Sequence, residues 1–282
     1  MDHLIKHLDQ LGAGNNYDMW NLFPRSEIFG GDRNAGFGIR ERFTNFGAIA
    51  PSAGGDTAYT AHQGFSAYVD TTTAAGSIKQ LTEVGGGIRL TAGTTANHET
   101  WLQAGGTTGA PFSISDAAPK DLVFETMVRF ASIANSKAAW FIGMGEEGLA
   151  AADTMADTTG ILASKDLIGF QRVLGDGDAL DFVYRLAGQD LVVKAADILT
   201  LEADTWYRIG FRFQTSPGAV RIIPWVNDVK KASSCITATE IAVATGDAFP
   251  DAQPMNFLAG GKAVAAEAHT MYIRWLDLAQ VA

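Results

Sequence analysis

Apolar and polar residues alternate with a period of two along most of the chain from about residue 57 onwards. In one such segment Phe124 and Val128 fall on one face and Glu125 and Arg129 on the other, as in a strand with one buried face. The same pattern recurs from segment to segment. It predicts strands at 65–69, 87–92, 100–104, 123–130, 138–143, 167–174, 180–186, 190–195, 206–213, 219–227, 232–238, 255–259 and 270–281.

Short stretches rich in Gly, Asp, Asn and Pro separate several of these strands, at residues 175–178, 188–189, 216–218 and 227–228. Many strands at hairpin spacing without interleaved helices predict an all-β fold, an antiparallel β-sandwich or jelly roll. Pro224 has no backbone N–H to donate, so it predicts an edge position or a bulge in its strand. Residues 145–160 form a long insertion, for which we expect one helical turn.

The first twelve residues have the pattern of a short amphipathic helix, which Asp2 caps and Gly12 ends. A helix of about ten residues is unstable alone, so we expect its apolar stripe to dock on another surface. That stripe consists of Leu4, Ile5, Leu8 and Leu11. The following residues carry isolated aromatic side chains without periodicity, which predicts an extended arm. We therefore divide the chain into residues 1–56, the helix and arm, and residues 57–282, the β domain.

Charge and composition narrow the classes of partner. Among 282 residues, 31 are acidic and 21 are basic, which gives a formal net charge of −10. Binding to nucleic acid through bulk electrostatics is therefore not expected. No apolar run approaches the length of a membrane span, Cys235 is the single cysteine, and no Asn-x-Ser/Thr site occurs. We accordingly expect synthesis in a cytosol and no membrane partner.

Short motifs for catalysis or cofactor binding are incomplete. Gly143, Gly145 and Gly148 match G-x-G-x-x-G after an apolar strand, but the two acidic residues at 146–147 would oppose a pyrophosphate. A strand leaving the sandwich into a loop explains these glycines better. The pair at 98–99 is His-Glu without the second histidine of a zinc motif. The sequence predicts no cofactor, no metal and no catalytic residue.

Two features keep a ligand-binding interpretation open. Asp176, Asp178 and Asp181 gather three carboxylates that suit calcium, although a solvated hairpin turn is the simpler explanation. Tryptophan rings stack on sugars, but core packing is the commoner role of a tryptophan in a strand. The tryptophans in predicted strands are Trp101, Trp140, Trp206, Trp225 and Trp275.

A series of framework segments resembles the concanavalin A-like, laminin-G-like jelly roll. These segments are 124–130, 140–144, 205–213, 223–228, 254–260 and 271–278, and the resemblance covers roughly residues 57–282. The catalytic, laminarinase-like branch of that superfamily carries Glu-x-Asp-x-x-Glu on one strand. Here the nearest string, from Glu202 through Asp204 to Tyr207, lacks the last glutamate and precedes the strand. The resemblance therefore implies a protein that is not an enzyme.

A second set of segments resembles the jelly-roll structural proteins of tailed-phage virions. It comprises residues 85–93, 97–102, 111–113 and 124–130, with Asn-His-Glu at 97–99 where that pattern often has Asp-Asn-Asp. The resemblance implies a capsid decoration or cement protein, or a head-attached protein, on the virion surface. Its partner would be the major capsid protein, and it would assemble as a homotrimer.

Our leading hypothesis from the sequence is thus a noncatalytic virion protein whose N-terminal stripe docks on the capsid. The alternative is a lectin-like carbohydrate-binding module, with or without calcium at the three aspartates. A glycosidase is the third hypothesis, and it predicts a pair of carboxylates in a cleft.

Overall fold

The structure is a computed structural model. It describes residues 19–20, 23–44, 48–49, 57–60, 64–70, 76–105, 109–134, 137–215, 220–242, 247–263 and 269–282. The predicted N-terminal helix, with Leu4, Ile5, Leu8 and Leu11, lies outside these residues, so its docking role stays a prediction.

Eighteen strands and two short helices are present in the described part of the chain. The first nine strands are β1 (Gly36–Glu41), β2 (Ala48–Ile49), β3 (Thr57–Thr60), β4 (Phe65–Val69), β5 (Ser77–Gln80), β6 (Ile88–Ala92), β7 (Glu99–Ala104), β8 (Leu122–Phe130) and β9 (Ala138–Gly145). The others are β10 (Leu167–Arg172), β11 (Ala179–Arg185), β12 (Val192–Thr200), β13 (Trp206–Gln214), β14 (Arg221–Val226), β15 (Val229–Lys230), β16 (Ile236–Thr237), β17 (Asn256–Ala263) and β18 (His269–Val281). The helices are α1 (Arg25–Phe29) and α2 (Ala238–Ile241). No described helix has the length and apolar character needed to span a membrane.

The strands form two stacked antiparallel sheets. The ten-stranded sheet has the order β15-β14-β13-β8-β18-β6-β5-β2, with β1 paired to β18 and β16 paired to β14. The eight-stranded sheet has the order β12-β11-β10-β9-β17-β7-β4-β3. Phenylalanine rings from both sheets meet in the core. The ring centres of Phe124 and Phe257 are 6.4 Å apart, and those of Phe211 and Phe182 are 5.8 Å apart. The predicted all-β antiparallel jelly roll is confirmed.

Several predicted details are confirmed or corrected. Phe124 and Val128 enter the core, whereas Glu125 and Arg129 lie on the outer face of the ten-stranded sheet. Pro224 lies where β14 changes its partner from β16 to β15, so its missing N–H interrupts no ladder. The strand predicted at 232–238 is wrong. A 3-10 turn, Ala232–Ser234, precedes only two strand residues, because a serine pair favours a turn over a pleated strand.

The insertion covers the outer face of the eight-stranded sheet. Residues 146–166 follow turns and one isolated bridge, and the predicted helical turn does not occur there. Leu149, Met155 and Leu162 are buried against Trp101 and Phe141 of the sheet. The insertion therefore removes most of the middle of this face from solvent.

The described part of the predicted arm covers one part of the outer face of the ten-stranded sheet. Met19, Trp20 and Ile28 pack on Val123 and Trp225. The strand β1 also falls within the predicted arm, and it joins the ten-stranded sheet beside the C-terminal half of β18. No described residue of the arm packs on the other part of this face, which we call the open half.

Candidate functional site

The open half of the ten-stranded sheet carries one continuous row of aromatic and cationic side chains. The strand registers place Trp206 beside Arg129, Arg129 beside Tyr272, Tyr272 beside Arg89, and Arg89 beside Lys79. We call these five residues the cross-strand row. Because neighbouring strands lie about 4.8 Å apart, the row spans about 19 Å.

Arg129 contacts both aromatic rings of the row. Its guanidinium carbon is 4.8 Å from the ring centre of Trp206 and 4.1 Å from that of Tyr272. The two ring centres are 6.5 Å apart and the rings meet edge to face, so the guanidinium lies beside the ring pair and not between the rings. Arg129 Nη2 also donates to Glu83 Oε1 at 2.9 Å. Two cation–π contacts, the edge-to-face ring contact and one charged hydrogen bond hold these three side chains together.

A β-bulge in β18 enlarges this surface. The register shifts between Ile273 and Trp275, so Arg274 and Trp275 both lie on the outer face although they are consecutive. The Arg274 guanidinium is 5.8 Å from the Trp206 ring, and it donates to the carbonyl of Val84 at 2.8 Å. The bulge thus adds a second tryptophan and a further cation beside the cross-strand row.

A cluster of three arginines around one carboxylate continues the surface beyond Trp275. Asp277 is fully buried, and its carboxylate lies 2.6 Å from Arg25, 3.3 Å from Arg40 and 3.0 Å from Arg42. The Arg42 guanidinium also lies 5.3 Å from the Trp275 ring. Burial lowers the pKa of Arg40, and Asp277 opposes that shift. The cluster carries more positive than negative charge.

Glu125 anchors the arm at the edge of this surface. It is buried, accepts a hydrogen bond from Trp20 Nε1 at 2.7 Å, and pairs with Arg208 Nε at 2.6 Å. Burial raises the pKa of Glu125, whereas the bond from Arg208 acts to lower it. Glu125 therefore joins the arm to β13 and has no free face toward a ligand.

Most of the arginines are gathered on one side of the molecule, although the net charge is −10. Ten of the twelve arginines lie on the outer face of the ten-stranded sheet or in the described part of the arm beside it. They are Arg25, Arg33, Arg40, Arg42, Arg89, Arg129, Arg208, Arg212, Arg221 and Arg274. The total charge of the sequence gives no sign of this distribution.

Of the five tryptophans considered for sugar stacking, three are buried. Trp101, Trp140 and Trp225 have at most 7% of their surface exposed. Trp206 and Trp275 are partly exposed; Trp206 belongs to the cross-strand row and Trp275 lies beside it. Strand parity alone indicates the direction of Trp206, because it alternates with core residues of β13. Trp275 could not be placed in this way, since the bulge reverses its parity.

The predicted aspartate cluster forms with one changed member. The carboxylates of Asp176 and Asp181 come together with that of Asp197, all within 4.8 Å, and Asp178 is not in this group. Asp181 Oδ1 accepts the backbone N–H of Asp197 at 2.8 Å, and burial raises the pKa of Asp181. Residues 173–178 connect β10 to β11, so the predicted hairpin turn is confirmed. A calcium ion there stays a prediction.

The two incomplete catalytic motifs fall in different parts of the fold. Glu202 and Asp204, the nearest match to the glycosidase motif, are exposed in the turn before β13 and not on a strand. Glu99, which follows His98 in the incomplete zinc motif, is buried beneath the insertion and pairs with Lys262. The glycosidase hypothesis stays a prediction.

An apolar cavity of about 490 Å³ opens at one edge of the sandwich, between the sheets. Its described lining includes Ile39, Phe65, Ala104 and Pro111, with Asn256 as a polar member. The Asn256 amide donates to the carbonyl of Gly109 at 2.8 Å. This cavity presents little chemistry for orienting a polar ligand.

Comparisons with known proteins identify the fold and no family. No family model and no curated protein matches the chain. The carbohydrate recognition domain of Emp47p aligns at a TM-score of 0.51 and 9% identity, covering 88% of this chain and 97% of that domain. Peanut lectin aligns at a TM-score of 0.48 and 9% identity over 83% and 96% of the two chains. A carbohydrate esterase from Shiga toxin-encoding bacteriophage phi24B aligns at 0.40 and 12% identity over 83% and 89%.

The chain therefore has a concanavalin A-like, lectin-type jelly-roll fold. A likeness at 9% identity says nothing about ligand or partner. The virion role and the trimeric assembly inferred from sequence receive no support from these comparisons and stay predictions.

Proposed function

We propose that this chain is a noncatalytic carbohydrate-binding module whose ligand face is the open half of the ten-stranded sheet. The observation that carries the proposal is the pair of partly exposed rings, Trp206 and Tyr272, which contact each other edge to face and are both contacted by Arg129. The apolar C–H faces of a sugar ring stack on aromatic rings, and a guanidinium donates hydrogen bonds to sugar oxygens.

The rigidity of the support favours binding. Trp206 stands on β13 and Tyr272 on β18, and both strands pair with β8, which lies between them, over most of its length. Rings that are held in place before binding lose little conformational entropy when a ligand arrives. An extended row on a sheet also suits a polysaccharide chain better than a small compact ligand.

The opposite face of the sandwich is a poorer candidate. The insertion covers its middle, where Glu99 and Lys262 have at most 3% of their side chains exposed. A ligand could reach these groups only after the insertion moved away. The accessible aromatic surface is therefore on the ten-stranded sheet.

A glycan array followed by titration calorimetry tests the proposal. We expect saturable binding that Trp206→Ala and Tyr272→Ala each weaken by about tenfold, because each removes one stacking ring. Trp206→Phe should retain part of the affinity. The control is Val193→Ala, which removes an exposed apolar side chain from the eight-stranded sheet and should change nothing. Absence of binding to every glycan, or binding that both ring variants leave intact, would overturn the proposal.

The virion hypothesis is tested separately, since it depends on Leu4, Ile5, Leu8 and Leu11. Co-sedimentation with capsids that lack this protein, with and without residues 1–12, decides it. Capsid binding that survives the truncation would contradict the docking role of the stripe.

A further inference from the structure

The cations of the open face exceed the carboxylates that could neutralise them. Arg89 and Lys79 form no ion pair within the described part of the chain, and Arg274 donates to a backbone carbonyl. Arg129 pairs with Glu83, whose side chain is 49% exposed. Among the described contacts of these four cationic side chains, the carboxylate of Glu83 is the one ion-pair partner.

The excess positive charge extends along the surface past Trp275. Three guanidiniums, those of Arg25, Arg40 and Arg42, share the single carboxylate of Asp277. Their side chains are 29%, 39% and 40% exposed, so each is partly accessible from solvent. Aromatic rings and uncompensated guanidiniums thus lie together from the cross-strand row to this cluster.

This arrangement suits one class of polymer. A chain of uronate or sulfated sugars presents apolar ring faces at one level and fixed negative charges at regular intervals. The rings of Trp206 and Tyr272 provide the stacking surfaces, and Arg89 and Lys79 provide positive charges in the same row across the strands. Guanidinium–carboxylate and guanidinium–sulfate bonds are charge-assisted and are often bidentate, so they are stronger than bonds to neutral hydroxyls.

We propose that the ligand of this face is an acidic polysaccharide, bearing carboxylate or sulfate groups. The inference rests on the proposed carbohydrate-binding function and adds its ligand class. A strongly acidic protein repels polyanions at long range, so the positive face must act locally. Its contribution should therefore depend strongly on ionic strength.

Matched polymers with one backbone test the ligand class. Titration calorimetry would compare polygalacturonate with its methyl ester, and dextran sulfate with dextran. We expect the acidic member of at least one pair to bind about tenfold more tightly than the neutral member, with an affinity that falls as salt rises. Equal binding of both members in every pair would overturn the acidic class.

Charge variants test whether the cross-strand row is responsible for the preference for the acidic polymer. Lys79→Gln and Arg89→Gln should each weaken binding to the acidic polymer about fivefold and weaken binding to a neutral polymer less. Lys120→Gln is the matched control, because this exposed lysine precedes the opposite end of β8 from Arg129. Equal losses in Lys120→Gln and Arg89→Gln would show nonspecific attraction and overturn the inference.

The two proposals fail in different ways. If neutral and acidic polymers bind equally and Trp206→Ala abolishes both, carbohydrate binding holds and the acidic class is wrong. If no polysaccharide binds, both are wrong. Binding to duplex DNA that is as tight as binding to the acidic polymer, and insensitive to Trp206→Ala, would identify a general polyanion surface and also overturn the inference.

Discussion

Lys262 and Glu99 lie opposite each other on β17 and β7, and their side chains form a buried ion pair with Nζ 2.9 Å from Oε1. Glu99 also accepts backbone N–H groups of Thr154 and Met155, at 3.0 and 3.1 Å. Lys262 Nζ in turn donates to the Met155 carbonyl at 2.7 Å and contacts Asp157. One charge pair thus ties the insertion to the sheet.

Replacing Lys262 should destabilise the protein strongly. Lys262→Met removes the cation of a buried pair and leaves the Glu99 carboxylate buried without its counter-charge, which costs about 3 kcal/mol of unfolding free energy. Urea unfolding measures the loss. Lys165→Met is the control, because the Lys165–Glu146 pair is partly exposed and should cost less than about 1 kcal/mol. Similar small losses in both variants would contradict the role of the buried pair.

The pH dependence of stability should include a contribution from Glu99. Burial raises the pKa of Glu99 above its ordinary value of 4.5, and the bonds from Lys262 act against that shift. The folded state then holds a proton that the unfolded state releases, so this contribution is lost as pH rises through the raised pKa. Glu99→Gln lacks this titration.

Unfolding free energies of the wild type and Glu99→Gln, measured from pH 3 to pH 8, check the sign. The stability of the variant relative to the wild type should increase as pH rises above about 4.5. A relative stability that decreases with pH would mean that the folded state favours the ionised carboxylate.

Gln103 should hold the start of the insertion. Its side-chain oxygen accepts the N–H groups of Leu149 and Ala150, at 2.8 and 3.3 Å, in a buried setting. Gln103→Leu leaves both donors without a partner, which should lower the free energy of unfolding by about 2 kcal/mol. Hydrogen exchange at those two amides should become faster. Gln253→Leu, which loses only a local bond to the Asp251 carbonyl, is the control. Unchanged exchange at 149 and 150 would contradict this role.

Gly261 is required by the close approach of Trp140. A Cβ at this position would lie 2.2 Å from Trp140 Cε3 and 2.4 Å from the Ala139 carbonyl oxygen. Gly261→Ala should therefore cost about 3 kcal/mol through overpacking. Gly177→Ala meets no atom within 4 Å but has a φ of +64°, so it should cost only about 1 kcal/mol. Thermal unfolding of both variants compares the two effects, and equal losses would contradict the steric explanation.

Arg129 should contribute to ligand binding through its planar shape as well as its charge. Arg129→Lys keeps the charge and loses the planar guanidinium that contacts both Trp206 and Tyr272, so we expect about fivefold weaker glycan binding. Arg89→Lys keeps the charge at a position away from the Trp206 ring and should change affinity less. Calorimetry with one glycan compares them. Equal affinities of Arg129→Lys and the wild type would show that charge alone matters.

Much of the fold follows from local pattern. Phe124 and Val128 alternate with Glu125 and Arg129, and successive side chains of a strand point to opposite faces, so the core-facing set is readable in advance. The same parity argument indicates that Trp206 faces outward. The error at 232–238 arose because an apolar pair, Cys235 and Ile236, imitates a strand where two serines set a turn.

The candidate site could be read only in part. The three clustered aspartates in sequence suggested one carboxylate group, but the structure replaces Asp178 with Asp197, which arrives on a different strand. No sequence signal indicates that Trp275 faces outward, because only the bulge in β18 turns its side chain to that face. The insertion carried no sign that it would cover Glu99 and Lys262.

The sequence by itself determined the all-β class, most of the long strands, and the face that most of their side chains take, because these depend on residues two positions apart. Tertiary structure decided which strands become neighbours. Arg129 meets Tyr272 and Trp206, and Glu99 meets Lys262, across long separations in the chain. Strand pairing joins such distant segments through backbone hydrogen bonds that every residue can make, so side-chain pattern alone does not specify the partner.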